Sequence, residues 1–107
     1  MSLAEGMPAR AGLAEQLLVE AVRKAVLLHL LKRGRCSGAD LQDDLAAPCR
    51  TTRQRIGMVT SRLGAPEVRL VMLVRTGSAE TSGWELTEAG RAKAVELQAK
   101  RDARRTA

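Results

Sequence analysis

The sequence predicts an α+β fold, mainly helical with one small β-hairpin. Composition is the first reason. Apolar residues make up 45% of the 107, yet there is a single Trp and no Phe or Tyr. A core drawn from Ala, Leu and Val suits packed helices better than a β-sandwich or barrel. Periodicity is the second: most of the chain carries apolar residues at three- and four-residue steps. The third is local. Val68 to Arg75 and Trp84 to Leu86 have strand composition and flank a polar, glycine-bounded loop. A chain of this length forms one domain around one modest core.

The first helical pattern runs from Ala9 to Arg33, with Leu13, Leu17, Leu18, Ala21, Val22, Ala25, Leu28 and Leu31 in register. It reads as one helix or as two joined near Gly12. Lys32 and Arg33 suit the negative end of a helix dipole, and Gly34 ends the segment. Its N-terminal half holds more leucine than one small core requires, which points to a partner chain. Residues 1–19 are therefore expected to form a helical extension available for dimerisation, and 20–107 the folded domain. Ser37 and Asp40 have capping-box spacing and open a second helix through Leu41 and Leu45. Pro48 stops it at Ala46-Ala47. Thr51, with Gln54 three residues on, is expected to cap a third helix that turns Thr52, Ile56, Val59 and Leu63 to the core and ends at Gly64-Ala65-Pro66. Two short helices around a tight polar turn form a helix-turn-helix. The strand Val68–Arg75, the loop 76–83 and the strand Trp84–Leu86 follow. A last helix, capped by Thr87, is expected from Glu88 to about Ala103 with Ala89, Ala92, Val95 and Ala99 inside.

Three helices, a two-stranded wing and a closing helix form the winged helix-turn-helix. Trp84 to Gly90, W-E-L-T-E-A-G, resembles the aromatic-x-Leu-Thr-x-x-Gly stretch that closes the wing in bacterial regulators of the MarR and PadR groups. Arg23 to Leu45, RKAVLLHLLKRGRCSGADLQDDL, resembles their first and second helices. The resemblance covers roughly residues 20 to 92. It departs at Pro48-Cys49, where such families often carry a Gly-Val-Ser type turn, and at Gly64-Ala65-Pro66-Glu67, which lacks the usual Gly-aliphatic pair. The resemblance implies a DNA-binding transcriptional regulator whose third helix enters the major groove. Trp84 and Leu86 are expected to pack the wing onto the helices.

The charge agrees with that placement. Lys plus Arg number 18 against 12 acids, for a net charge of +6, which favours a polyanionic partner. No acid lies between Asp44 and Glu67, a window that holds Arg50, Arg53, Arg55 and Arg62. At about 100° per residue, the face opposite the core is Arg50, Gln54, Gly57, Met58 and Ser61. Arg55 and Arg62 share one flank and Arg53 takes the other. A groove-reading helix has this layout, with short or amide side chains at its centre and cations at its margins. Gln54 can read adenine and Arg50 guanine, and Gly57 permits close approach. Alternatively, Gln54 is engaged in capping and Gly57 accommodates a neighbouring helix. Thr51, Arg53, Arg55 and Arg62 are expected at phosphates, as are Arg75 and Ser78 on the wing, with Glu80 opposing them. Lys100, Arg101, Arg104 and Arg105 form a second basic run.

Other classes of function find little support. One His and no nucleophile triad, carboxylate pair or phosphate-cradling loop leave no candidate catalytic site. Cys36 and Cys49 lack Cys-x-x-Cys spacing, so neither zinc nor another cofactor is expected. They flank a helix of about eight residues, roughly 12 Å long, too far for a disulfide and its Cα separation of at most about 7 Å. With no long apolar run and no signal-peptide pattern, a cytoplasmic protein without membrane association is expected. The leading expectation is a sequence-specific binder of double-stranded DNA, homodimeric through the N-terminal helix, the C-terminal helix or both, with any small-molecule effector unknown. The alternative is a winged-helix module that contacts protein or RNA.

Overall fold

The computed structural model describes residues 2–106, with side chains from 12 to 105. The elements run α1 (Ser2–Arg33), α2 (Gly38–Leu45), α3 (Arg53–Leu63), β1 (Val71–Val74), β2 (Gly83–Leu86) and α4 (Glu88–Thr106). This is a winged helix-turn-helix. Helix α1 is continuous through Gly12. Gly34, at φ 80°, ends it and donates its N–H to the Leu30 carbonyl at 2.8 Å. Val22, Val26, Leu27 and Leu30 of α1 are buried against Leu41 and Leu45 of α2, and Ile56, Val59 and Leu63 of α3. The inward face of α1 is thus rotated from the expected one: Ala21 is exposed and Leu28 only half-buried.

Helix α2 opens as its sequence requires, Ser37 Oγ accepting from Asp40 N–H at 3.0 Å. Helix α3 opens one residue later than Thr51 would place it. Thr52, extended at φ −88° and ψ 155°, is the cap and accepts from Arg55 N–H at 3.1 Å. The intervening turn has its own bonds: Cys49 N–H to Leu45 O at 3.0 Å, Arg50 N–H to Ala47 O at 3.0 Å and Thr51 N–H to Ala46 O at 2.9 Å. Arg50 there takes a left-handed φ of 53°. The shift exchanges Thr52, which is exposed, for Thr60, which is buried and donates its hydroxyl to Ile56 O at 2.8 Å.

The hairpin pairs β1 and β2 antiparallel, with Val71 opposite Leu86 and Val74 opposite Gly83. Strand β1 is shorter than the run Val68–Arg75. Arg69 adopts a left-handed φ of 50°, and Leu70 N–H is held by Leu63 O at 2.9 Å, so extended backbone begins only at Val71. Cys36 adds a single-residue bridge on the other edge of β2 that its sequence did not suggest. Its N–H donates to Trp84 O at 3.0 Å, and Trp84 N–H donates to Cys36 O at 2.7 Å. Trp84 is half-buried between two glycines, its ring lying 3.8 Å and 2.9 Å from where a Cβ on Gly38 or Gly64 would stand.

The Leu-Thr-x-x-Gly stretch is the joint that docks α4. Thr87 Oγ1 accepts from Gly90 N–H at 3.0 Å and donates to Arg69 O at 2.6 Å, while Thr87 N–H donates to Leu70 O at 3.1 Å. A Cβ on Gly90 would lie 1.8 Å from that Leu70 carbonyl, so only glycine permits the approach. This contact sets the rotation of α4. Its inner face is Gly90, Ala94 and Leu97; Ala89, Ala92 and Ala99 point outward, and Val95 is 52% exposed. The helix also continues past Ala103 to Thr106.

Candidate nucleic-acid interface

The docking of α3 decides which of its side chains can meet a ligand. With Ile56, Val59, Thr60 and Leu63 buried, the opposite face at about 100° per residue is Gln54, Met58 and Ser61, all exposed. Gln54 sits at the second helical position, clear of the Thr52 cap. Gly57 is half-buried and turned towards α2, where a Cβ would come 2.8 Å from Gln42 Nε2. It therefore belongs to the α2–α3 contact rather than the centre of the outward face. Arg50 is exposed in the turn before α3, and Thr51 beside it is half-buried.

The flanking cations have different surroundings. Arg53 Nη1 lies 2.6 Å from Asp43 Oδ1 of α2. Arg55 pairs with Glu15 of α1 on the other side, its side chain 23% exposed. That carboxyl is held below the usual carboxylate range, first by the Arg55 hydrogen bond and also by the charges of Arg55 and Arg62. Arg62 is exposed, and no ion pair engages it among the described residues. It also lines a 200 Å³ cleft with Val19, Arg23, Val59, Leu63 and Val68.

Arg75 and Ser78 lie apart from α3, on the hairpin loop, both exposed. The loop is braced by its own hydroxyls. Ser78 O accepts from Ser82 N–H at 3.1 Å and Ser82 Oγ at 2.8 Å, and Thr76 N–H donates to Ser82 Oγ at 2.8 Å. Arg35 fixes its base, donating to Glu85 Oε1 from Nε at 2.8 Å and to Thr81 O at 3.0 Å. Sequence reasoning missed Arg35, Asp43 and Glu15, because each acts through a partner remote in the chain. A second basic surface is a groove of about 430 Å³ between α1 and α4, with Leu27, Leu28 and Leu97 beneath Arg23, Lys24, Lys93 and Arg104.

Among the described residues, no three of His, Cys, Asp and Glu converge to hold a metal. No helix there is long and apolar enough to cross a membrane. Cys36 and Cys49 are free thiols.

No protein-family model and no curated protein matches the sequence. Among solved structures, the chain is similar to a mutant of Lactococcus lactis ZitR in its apo form, with a TM-score of 0.65 and 19% identity over 99% of this chain and 77% of that one. At that identity the likeness is one of fold, and it agrees with the winged helix-turn-helix described above.

Proposed function

We propose that the chain is a transcriptional regulator that binds double-stranded DNA sequence-specifically as a homodimer, with α3 in the major groove. One observation carries the reading. The face of α3 turned away from the core consists of exposed Gln54, Met58 and Ser61, bordered by arginines and free of acidic residues on the helix itself. Amide and short side chains reach base edges, and marginal cations reach phosphates. In this reading Gln54 is the principal base reader, assisted by Met58, Ser61 and Arg50. Thr51, Arg53, Arg55 and Arg62 meet phosphates, and Arg75 and Ser78 extend the contact along the wing.

The dimer is argued from α1. Leu13 and Leu17 are 58% and 64% exposed on consecutive turns, beyond the folded core. A second copy covers them at least cost, since apolar area removed from water contributes about 25 cal/mol per Å². The basic groove between α1 and α4 is a poor two-fold contact, because self-packing would oppose like charges. The testing experiment is a selection of duplexes from a random pool by the full chain. It should enrich a two-fold symmetric site with half-sites about one helical turn apart. Recovery of no common sequence would overturn the sequence-specific reading and favour a module that contacts protein or RNA.

A further inference from the structure

Carboxylates from two other elements hold the arginines at both margins of α3. Asp43 of α2 receives Arg53 on one side, and Glu15 of α1 receives Arg55 on the other. Helical spacing brings Glu15 there. It continues the Val19, Val22 and Val26 row that packs α1 onto the core, one turn nearer the N-terminus. Val19 and Arg62 line the same cleft between α1 and α3, so the row leads directly to the α3 flank. The helix that carries exposed Leu13 and Leu17 therefore also delivers an acid to the reading helix.

A guanidinium donates to carboxylate and phosphate oxygens in the same charge-assisted geometry. A phosphate that takes Arg53 or Arg55 must displace a carboxylate and leave that negative charge close to the DNA backbone. Resting on the reading of α3 as the DNA-reading helix, we propose that Glu15 and Asp43 are autoinhibitory residues, intramolecular stand-ins for phosphate that occupy Arg55 and Arg53. Phosphate contacts contribute to specific and nonspecific binding alike, so masking these arginines weakens both. Base contacts from Gln54 are unaffected. The two carboxylates thus lower overall DNA affinity and its salt dependence without touching a base.

The experiment is a set of salt titrations of the full chain on its selected duplex and on a scrambled one. Glu15→Gln, Asp43→Asn and the double variant are compared with wild type, and melting curves verify that each is folded. Both acids are more than half exposed, at 55% and 54%, so amide replacements preserve the packing. Each single change should tighten binding to both duplexes and steepen the log–log salt slope by about 0.9, the double by about 1.8. The preference for the selected duplex should stay unchanged. Glu96→Gln removes the same charge from the Glu96–Lys100 pair on α4 and should steepen the slope less. An unchanged slope, weaker binding, or an equal effect from Glu96→Gln would overturn the masking role. Arg62→Ala separates this failure from the larger one. If it weakens binding while the carboxylate variants do not strengthen it, masking alone is wrong. If neither Arg62→Ala nor Gln54→Ala alters binding, α3 is not the reader and both conclusions fall.

Discussion

Thr87 and Gly90 form the joint that docks α4 against the segment leading into the hairpin. Thr87 caps α4 and ties it to the Arg69 carbonyl, and Gly90 admits the Leu70 carbonyl to the helix surface. Gly90→Ala should destabilise the fold by about 1–3 kcal/mol or more, since a methyl would overlap backbone that cannot rotate away. Thr87→Ala should cost about 1–2 kcal/mol, with Thr87→Ser recovering most of it, because the hydroxyl and not the methyl makes both bonds. Urea denaturation measures each. A Gly90→Ala variant as stable as wild type would show that α4 docks differently. At the cysteines, burial pushes the Cys36 thiol up, helped by the charges of Asp40 and Asp44, and burial alone raises Cys49. Both should ionise at a higher pH than an ordinary thiol does. Alkylation by iodoacetamide at pH 8 should therefore run slower than for an unstructured thiol in the same buffer. Equal rates would contradict the environments described.

At the scale of elements, Gly57 tests the α2–α3 contact. An added methyl meets only the mobile end of Gln42, which can yield, and alanine favours helix by about 1 kcal/mol over glycine. Gly57→Ala should therefore be neutral or mildly stabilising in thermal unfolding, and a loss of several degrees would show that the two helices pack without slack. The sequence disclosed elements better than their rotations. Ser37 with Asp40 marked the start of α2, and the apolar spacing of Ile56, Val59 and Leu63 marked the buried face of α3, because those signals are local. In α4 the pattern misled. Alanines occupy several faces of the helix, so hydrophobic contrast is weak, and the rotation comes from Gly90 meeting a carbonyl twenty residues upstream in the chain. At α3, Thr51 and Thr52 both carry capping chemistry, and only the bonded turn before them chooses Thr52. The candidate site was legible where it depends on one helix, in Gln54, Met58, Ser61 and Arg62. It was not legible where tertiary partners act, as Gln42 does at Gly57 and Glu15 at Arg55.

For the whole molecule, the fold packs α3 against α2 and against a long first helix whose N-terminal half carries exposed leucines. Two-fold pairing through Leu13 and Leu17 would present two α3 helices to successive major grooves. Sedimentation equilibrium at micromolar concentration should give a dimer, and Leu13→Gln/Leu17→Gln should shift it towards monomer with the helical signal retained. A wild-type monomer would contradict the symmetric arrangement. The most direct test of α3 as the reader is a pair of salt titrations, on selected and scrambled duplexes, for Gln54→Ala and Arg62→Ala. Loss of Gln54 should cost about 1–3 kcal/mol on the selected duplex and leave scrambled binding unchanged. Loss of Arg62 should weaken both duplexes alike and flatten the salt slope by about 0.9. Wild-type binding by both variants at every salt concentration would contradict the account.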